Sequence, residues 1–223
     1  MVRTKYVVFA FIGVMMGYVL YHNERFLIDP NHPDWPHYMR LGGWLLVHGI
    51  AGGAALFLAP FQFSDRLRKR YTKAHRITGR VYVAGILVLA PMGVYLQYLD
   101  ESLAGLSRSF TIAAVVDASL LYVTTAIAFM FALQRKITQH RQWMTRSYAV
   151  ALVFFEVRLI LGVTGWETLG PAVVETVIWV CLAFSLLIAD IANQWQDLRL
   201  AVAAPSRTRA AERPKLQTVE EST

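Results

Sequence analysis

Residues 41–64 read LGGWLLVHGIAGGAALFLAPFQFS, and a cationic run, DRLRKR, follows at 65–70. No Asp, Glu, Lys or Arg interrupts the first stretch. An α-helix rises about 1.5 Å per residue, so a segment of this length matches the roughly 30 Å oily core of a bilayer. The pattern recurs in both directions. Tyr6 to Asn23 and Val81 to Leu99 are charge-free. Ser109 to Gln134 holds only Asp117, Ser147 to Trp166 holds Glu156 and Arg158, and Thr168 to Ala189 holds only Glu175. These stretches predict an all-α protein, a polytopic transmembrane helical bundle of six spans. Composition agrees. The chain is 56% hydrophobic and 17% charged, against about 25% charged in an ordinary soluble domain.

The organisation expected is an N-terminal anchor helix over 1–23, an outer loop over 24–40, a bundle core of five spans over 41–190 and a tail over 191–223. Arg3 and Lys5 precede the first apolar run as in a signal peptide. The residues after it, Tyr21, His22, Asn23 and Glu24, offer no small-residue cleavage site, so a retained helix is predicted. From about Val202 the tail has little to bury, which predicts disorder.

Lys and Arg set the expected orientation. They crowd the N-terminus, the segment from Arg66 to Arg80, the segment from Arg135 to Arg146, and the tail. The alternate connections carry only Arg25, Arg40 and Arg108 beside six acids. The positive-inside rule then places both termini in the cytoplasm of a multi-pass inner-membrane protein. The same distribution accounts for the net charge of +7 without nucleic acid, because the cations flank apolar runs and would meet lipid headgroups. Cys181 is the single cysteine, so an intramolecular disulfide or a cysteine-based metal site is excluded. Phosphate-binding and hydrolase motifs are absent. His22, His32 and His37 with Asp29 and Asp34 show no recognised ligand spacing, and no metal is assigned to them.

One segment is used twice. HRITGRVY at 75–82 and HRQWMTRSY at 140–148 each open an apolar run, which predicts a helix-pair pseudo-repeat. A helix start carries partial positive charge, so Arg76, Arg80, Arg141 and Arg146 there suit an anion, either a lipid headgroup or a haem propionate. His75 and His140 fall at matching depths and could serve as two axial ligands of a haem b.

A second pattern lies deeper. Counted from the outer end of each span, His48, Asp117, Glu156, Arg158 and Glu175 all fall roughly 10 to 17 Å below the surface. Ionisable groups at such depth should face inward and pair. Glu156 and Arg158 are two residues apart and point in different directions. The expected pairs are Arg158 with Asp117 or Glu175, and Glu156 with His48. Three acids face two bases, which would make the layer proton-responsive. Gly49 and Gly53 form a small-xxx-small pair beside His48 and predict close helix contact. Met92 lies level with His48, so the two could instead ligate a haem as a His/Met pair, although packing is the commoner role of both.

His48 in its glycine-rich span, PFQF at 60–63, HRITGRVYV from 75 and HRQWMTRSYAV from 140 together resemble a family of predicted bacterial membrane proteins defined by a domain of unknown function, over roughly residues 40–190. The resemblance implies an inner-membrane helical protein and brings no reaction with it. More loosely, helix pairs bearing histidines are similar to transmembrane b-type cytochromes. Three functions follow as expectations. The first is a haem- or quinone-linked membrane redox protein using His48, His75 and His140. The second is a proton-linked small-molecule transporter using the deep layer. The third is a non-catalytic lipid-binding scaffold.

Overall fold

The structure, a computed structural model, describes residues 4–22, 24–25, 29–33, 35–104 and 107–203. The tail expected to be disordered after 203, and Asp34 in the outer loop, lie outside the described residues. Every regular element described is helical: α1 (Thr4–His22), α2 (Trp35–Gln62), α3 (Asp65–Arg70), α4 (Thr72–Ala104), α5 (Arg108–Leu133), α6 (Ile137–Ala151), α7 (Val153–Thr164), a 3-10 turn (Trp166–Leu169) and α8 (Pro171–Ala203).

Among the described residues, five segments are long and apolar enough to cross a membrane: Met39–Gln62, Thr72–Ser102, Arg108–Leu133, Ile137–Thr164 and Pro171–Trp195. The fourth is α6 and α7 in series, interrupted at Leu152. The first of the six predicted spans is realised as a shorter apolar helix, Tyr6–His22. Phe11, Val14, Leu46 and Ile50 stand 63 to 71% exposed on the outside of the bundle. Such a surface is at home in lipid and would be an aggregation site in water.

Helices α2, α4, α5 and α6 pack in that order around a ring, and α6 returns to touch α2. Helix α8 lies against α6 and α7, and α1 lies against α7. Cross-contacts fix which ends coincide. Arg141 Nη2 is 3.7 Å from Asp65 Oδ1, joining the two basic turns. Phe9 near the start of α1 stacks on Phe63 at the end of α2. Arg146 Nε is 2.7 Å from Asp190 Oδ1 in the second half of α8. The start of α1, both basic turns and the late part of α8 therefore share one end, here termed the basic end.

In lipid, helices associate through shape more than through hydrophobicity, so small residues decide where they meet. A Cβ on Gly85 of α4 would lie 3.0 Å from the Ala51 carbonyl oxygen of α2, and one on Gly52 of α2 would lie 3.1 Å from Leu89 Cδ1. These two glycines, not the expected Gly49–Gly53 pair, make the α2–α4 seam. Gly49 faces open space and Gly53 meets only Phe57 of its own helix. Near its start α2 bends at Gly42, whose φ of +28° suits a residue without a Cβ.

Two helices contain an internal proline, and each is repaired in the same way. Proline lacks an N–H, so the carbonyl four residues earlier loses its donor. Pro91 orphans Leu87, and the Tyr122 hydroxyl of α5 donates to the Leu87 carbonyl at 2.9 Å. Pro60 orphans Leu56, and the Tyr148 hydroxyl of α6 donates to the Leu56 carbonyl at 3.4 Å. Each tyrosine thus ties its own helix to a defined level of a neighbour.

This account predicts a coupling. Tyr122→Phe should destabilise the protein by about 1–2 kcal/mol, the range for orphaning a buried acceptor. In a Pro91→Ala background the restored N–H should remove most of that effect. Thermal melts of the four proteins in one detergent measure the cycle, and additive effects would refute the repair.

Candidate functional site

The interior of the four-helix ring is crossed by a chain of hydroxyls. Tyr82 of α4 and Ser147 of α6 share a hydrogen bond of 2.7 Å, and Ser147 shares another of 2.7 Å with Thr125 of α5. Tyr82 and Ser147 are fully buried, and Thr125 nearly so. Helices α4 and α6 stand opposite each other in the ring and are not closely packed. Tyr82 is long enough to bridge them.

That contact sets the register of everything on the same two faces. Seven residues make almost two full turns, so His75 lies on the Tyr82 face and His140 on the Ser147 face, each about 10 Å nearer the basic end. The two histidines are half-buried and within electrostatic reach of each other. His140 is also oriented, since its Nδ1 lies 2.8 Å from the Ala128 carbonyl oxygen of α5. A carbonyl can only accept, so Nδ1 carries the proton and Nε2 keeps its lone pair.

The four arginines of the repeat divide into two kinds. Arg141 pairs with Asp65. Arg146 pairs with Asp190 and stacks on Trp143, with its guanidinium carbon 4.7 Å from the ring centre. Arg76 and Arg80 are exposed and form no ion pair among the described residues. Gln62 of α2 is hydrogen-bonded to Thr78 just below them, holding α2 to the start of α4.

The deep layer is not the network its composition suggests. No salt bridge among the described residues joins His48, Asp117, Glu156, Arg158 or Glu175 to one another. The His48 ring rests against Gly93 of α4, and its Nδ1 is buried without a hydrogen-bond partner among the described residues. Asp117 Oδ1 is likewise buried and unpartnered. Asp117 lies five residues beyond Tyr122, which is level with Leu87, so it sits at about the height of His48 on the facing helix. Glu156 is half-buried and acts electrostatically on the Cys181 thiol of α8. Glu175 is half-buried on α8.

Arg158 finds an acid that the spacing did not indicate. Its guanidinium lies over the Phe154 ring, 5.1 Å from the centroid, and attracts Glu24, the residue just beyond α1. Neither Asp117 nor Glu175 takes that role. Helix α1 is brought to α7 at Gly162, where an added Cβ would lie 3.0 Å from the Tyr18 hydroxyl. Glu24 is half-buried, with Oε1 shielded from solvent and without a hydrogen-bond partner among the described residues. Burial pushes its carboxyl above the usual carboxylate range, and Arg158 opposes part of the rise. The one signal that could have found this partner is that Glu24 is the first acid after α1.

The model of a predicted membrane protein family, DUF2306, matches residues 45–192. The chain belongs to this family. No curated protein and no solved structure gives a significant match. The part shared with the family contains His48, His75, His140 and all of the deep ionisable residues, whereas α1 and Glu24 precede it.

Among the described residues of this family member, no three His, Cys, Asp or Glu side chains converge as a metal site. Of the three histidines in the family-matched region, His75 and His140 lie together at the basic end and His48 lies apart, toward the other end of the bundle.

Glu24 gives a pH test. A carboxyl whose pKa is raised on folding holds its proton longer in the native state. Native stability then falls as pH rises from the ordinary value of 4.5 and levels off above the raised value. Glu24→Gln should remove this slope. Melting temperatures of both proteins from pH 4 to about pH 8 should converge at the acid end and diverge above it. Parallel profiles would show that Glu24 does not titrate in that range.

Proposed function

We propose that the protein is an inner-membrane redox protein holding a haem b between His75 and His140. The supporting observation is the Tyr82–Ser147 hydrogen bond, which registers α4 and α6 seven residues beyond His75 and His140 and so favours a matching depth for the two histidines. The donor set fits. Two histidines without a third ligand are too few for a bare ion. They suffice for haem iron, because the porphyrin supplies the remaining donors. When bound, the haem would supply one-electron transfer.

The chain's own residues then have distinct tasks. The Ala128 carbonyl fixes the His140 tautomer and aims Nε2, as partners beyond the ligands commonly do in metal sites. Arg76 and Arg80, unengaged by acids, are the cations for propionates. Arg141 and Arg146 instead lock the turns through Asp65 and Asp190. Tyr82, Ser147 and Thr125 seal the seam beneath the pair against water. The concentration of Lys and Arg at the basic end supports a cytoplasmic position for this site and for both termini.

A proton-linked carrier is the second reading, favoured by the orphaned Asp117 carboxyl. It predicts that Asp117→Asn abolishes pH-dependent flux in proteoliposomes.

The haem reading is tested by titrating hemin into detergent-purified protein. A saturable Soret band is expected, lost in both His75→Ala and His140→Ala. Variants that fold and still bind hemin as the parent does, or a parent that gains no Soret band, would overturn the assignment.

A further inference from the structure

Helices α4 and α5 leave a groove of about 480 Å³ between them, running from Pro91 away from the basic turns. Its floor is Pro91 and Tyr122, the site of the proline repair. Its walls carry Tyr95, Tyr98, Thr111 and Ser119. The groove opens sideways, between side chains such as Val115 and Tyr98 that are exposed on the lipid-facing surface. Only a molecule dissolved in the bilayer has direct access to it.

The hydroxyls in this groove are not equivalent. Tyr122 donates to Leu87, Ser119 to the Val115 carbonyl at 2.7 Å, and Thr111 to Glu101 Oε2 at 2.6 Å. Tyr95 and Tyr98 make no hydrogen bond among the described residues. The Tyr95 ring is fixed by an edge-on contact with Trp44, with centroids 5.4 Å apart. The groove therefore has a mostly apolar lining that includes two flat aromatic rings whose phenols have no hydrogen-bond partner among the described residues.

We propose that this groove binds a quinone. A quinone has a flat ring to lie against Tyr95 and Tyr98, two carbonyl oxygens to accept their protons in hydrogen bonds, and an apolar tail for the channel or the surrounding lipid. An acyl chain matches the apolar floor and leaves both phenols unused. Tyr98 lies six residues from the end of α4, about 9 Å along the axis, where an amphiphile's polar part resides. The volume suits a small organic ligand, for which sites run about 300–1,000 Å³. The site is at the end of the bundle away from His75 and His140 and does not rest on the haem reading.

The test uses decylubiquinone and the full-length protein, without added haem, in nanodiscs of saturated phosphatidylglycerol. Quenching of aromatic fluorescence should saturate. Tyr98→Phe should weaken binding about 5-fold, and Tyr95→Phe with Tyr98→Phe about 10- to 30-fold, as expected for one and two modest hydrogen bonds. Ser119→Trp should fill the groove and abolish saturation, with helicity and melting temperature checked alongside. Three results would overturn the proposal: quenching that follows lipid partition without saturating, quenching unchanged in the tyrosine variants, or displacement by stearate as effective as by a second quinone. The last would assign the groove to an acyl chain.

Discussion

A backbone carbonyl without a donor is the most expensive fault a membrane helix can carry, because the hydrocarbon around it offers no water in exchange. The bundle is organised around two such carbonyls. Pro60 and Pro91 create them at Leu56 and Leu87, and tyrosines from neighbouring helices satisfy them. The repairs run between helices, so they also act as gauges. Tyr122 sets the height of α5 on α4, and Tyr148 sets that of α6 on α2. Tyr82 then closes the diagonal through Ser147. Three phenols thus fix relative heights within a ring of four rods that smooth apolar packing alone would leave free to slide.

The ionisable groups obey the same constraint differently. A shared stratum of charges invites the expectation of mutual pairing, yet no described ion pair joins these groups to one another. His48 rests against Gly93 next door, Arg158 lies over an aromatic ring and attracts an acid beyond α1, and Glu156 acts on the Cys181 thiol at a distance. Long side chains explain this. An arginine reaches about a turn of helix along the axis, so equal depth of Cα atoms does not imply equal depth of charges. Asp117, with a short side chain, stays where its Cα places it.

What the residues disclosed on their own was what depends on distance along one rod. Span lengths, the clustering of cations at one end and the recurrence of His75 and His140 ahead of two parallel helices all follow from counting. What stayed hidden depends on the rotation of one helix relative to another. Gly49 and Gly53 have suitable spacing, but α2 turns Gly52 toward α4 instead. Pro60 and Pro91 mark Leu56 and Leu87 as orphans in advance; which hydroxyl would arrive required knowing the order of helices around the ring. Glu24 was hidden for a related reason, since its partner is set by where α1 docks, and α1 has no strongly amphipathic face to announce it. The span predicted from Ser147 to Trp166 proved to be the later part of a longer rod that begins at Ile137 and is interrupted at Leu152.

The ring geometry also bears on why the His-Arg segment occurs twice. Opposite helices in a ring of four cannot touch by backbone, so whatever spans the diagonal must be supplied by side chains. At the level of Tyr82 a long donor meets a short hydroxyl and the gap is closed. Two turns nearer the basic end, the same faces carry His75 and His140, and the His140 ring is already committed through Nδ1 to Ala128. The other nitrogen of that ring offers a lone pair to the gap. On the proposed reading, haem iron would take that lone pair. The repetition of the segment is what makes the two faces alike, and the diagonal is what leaves space between them.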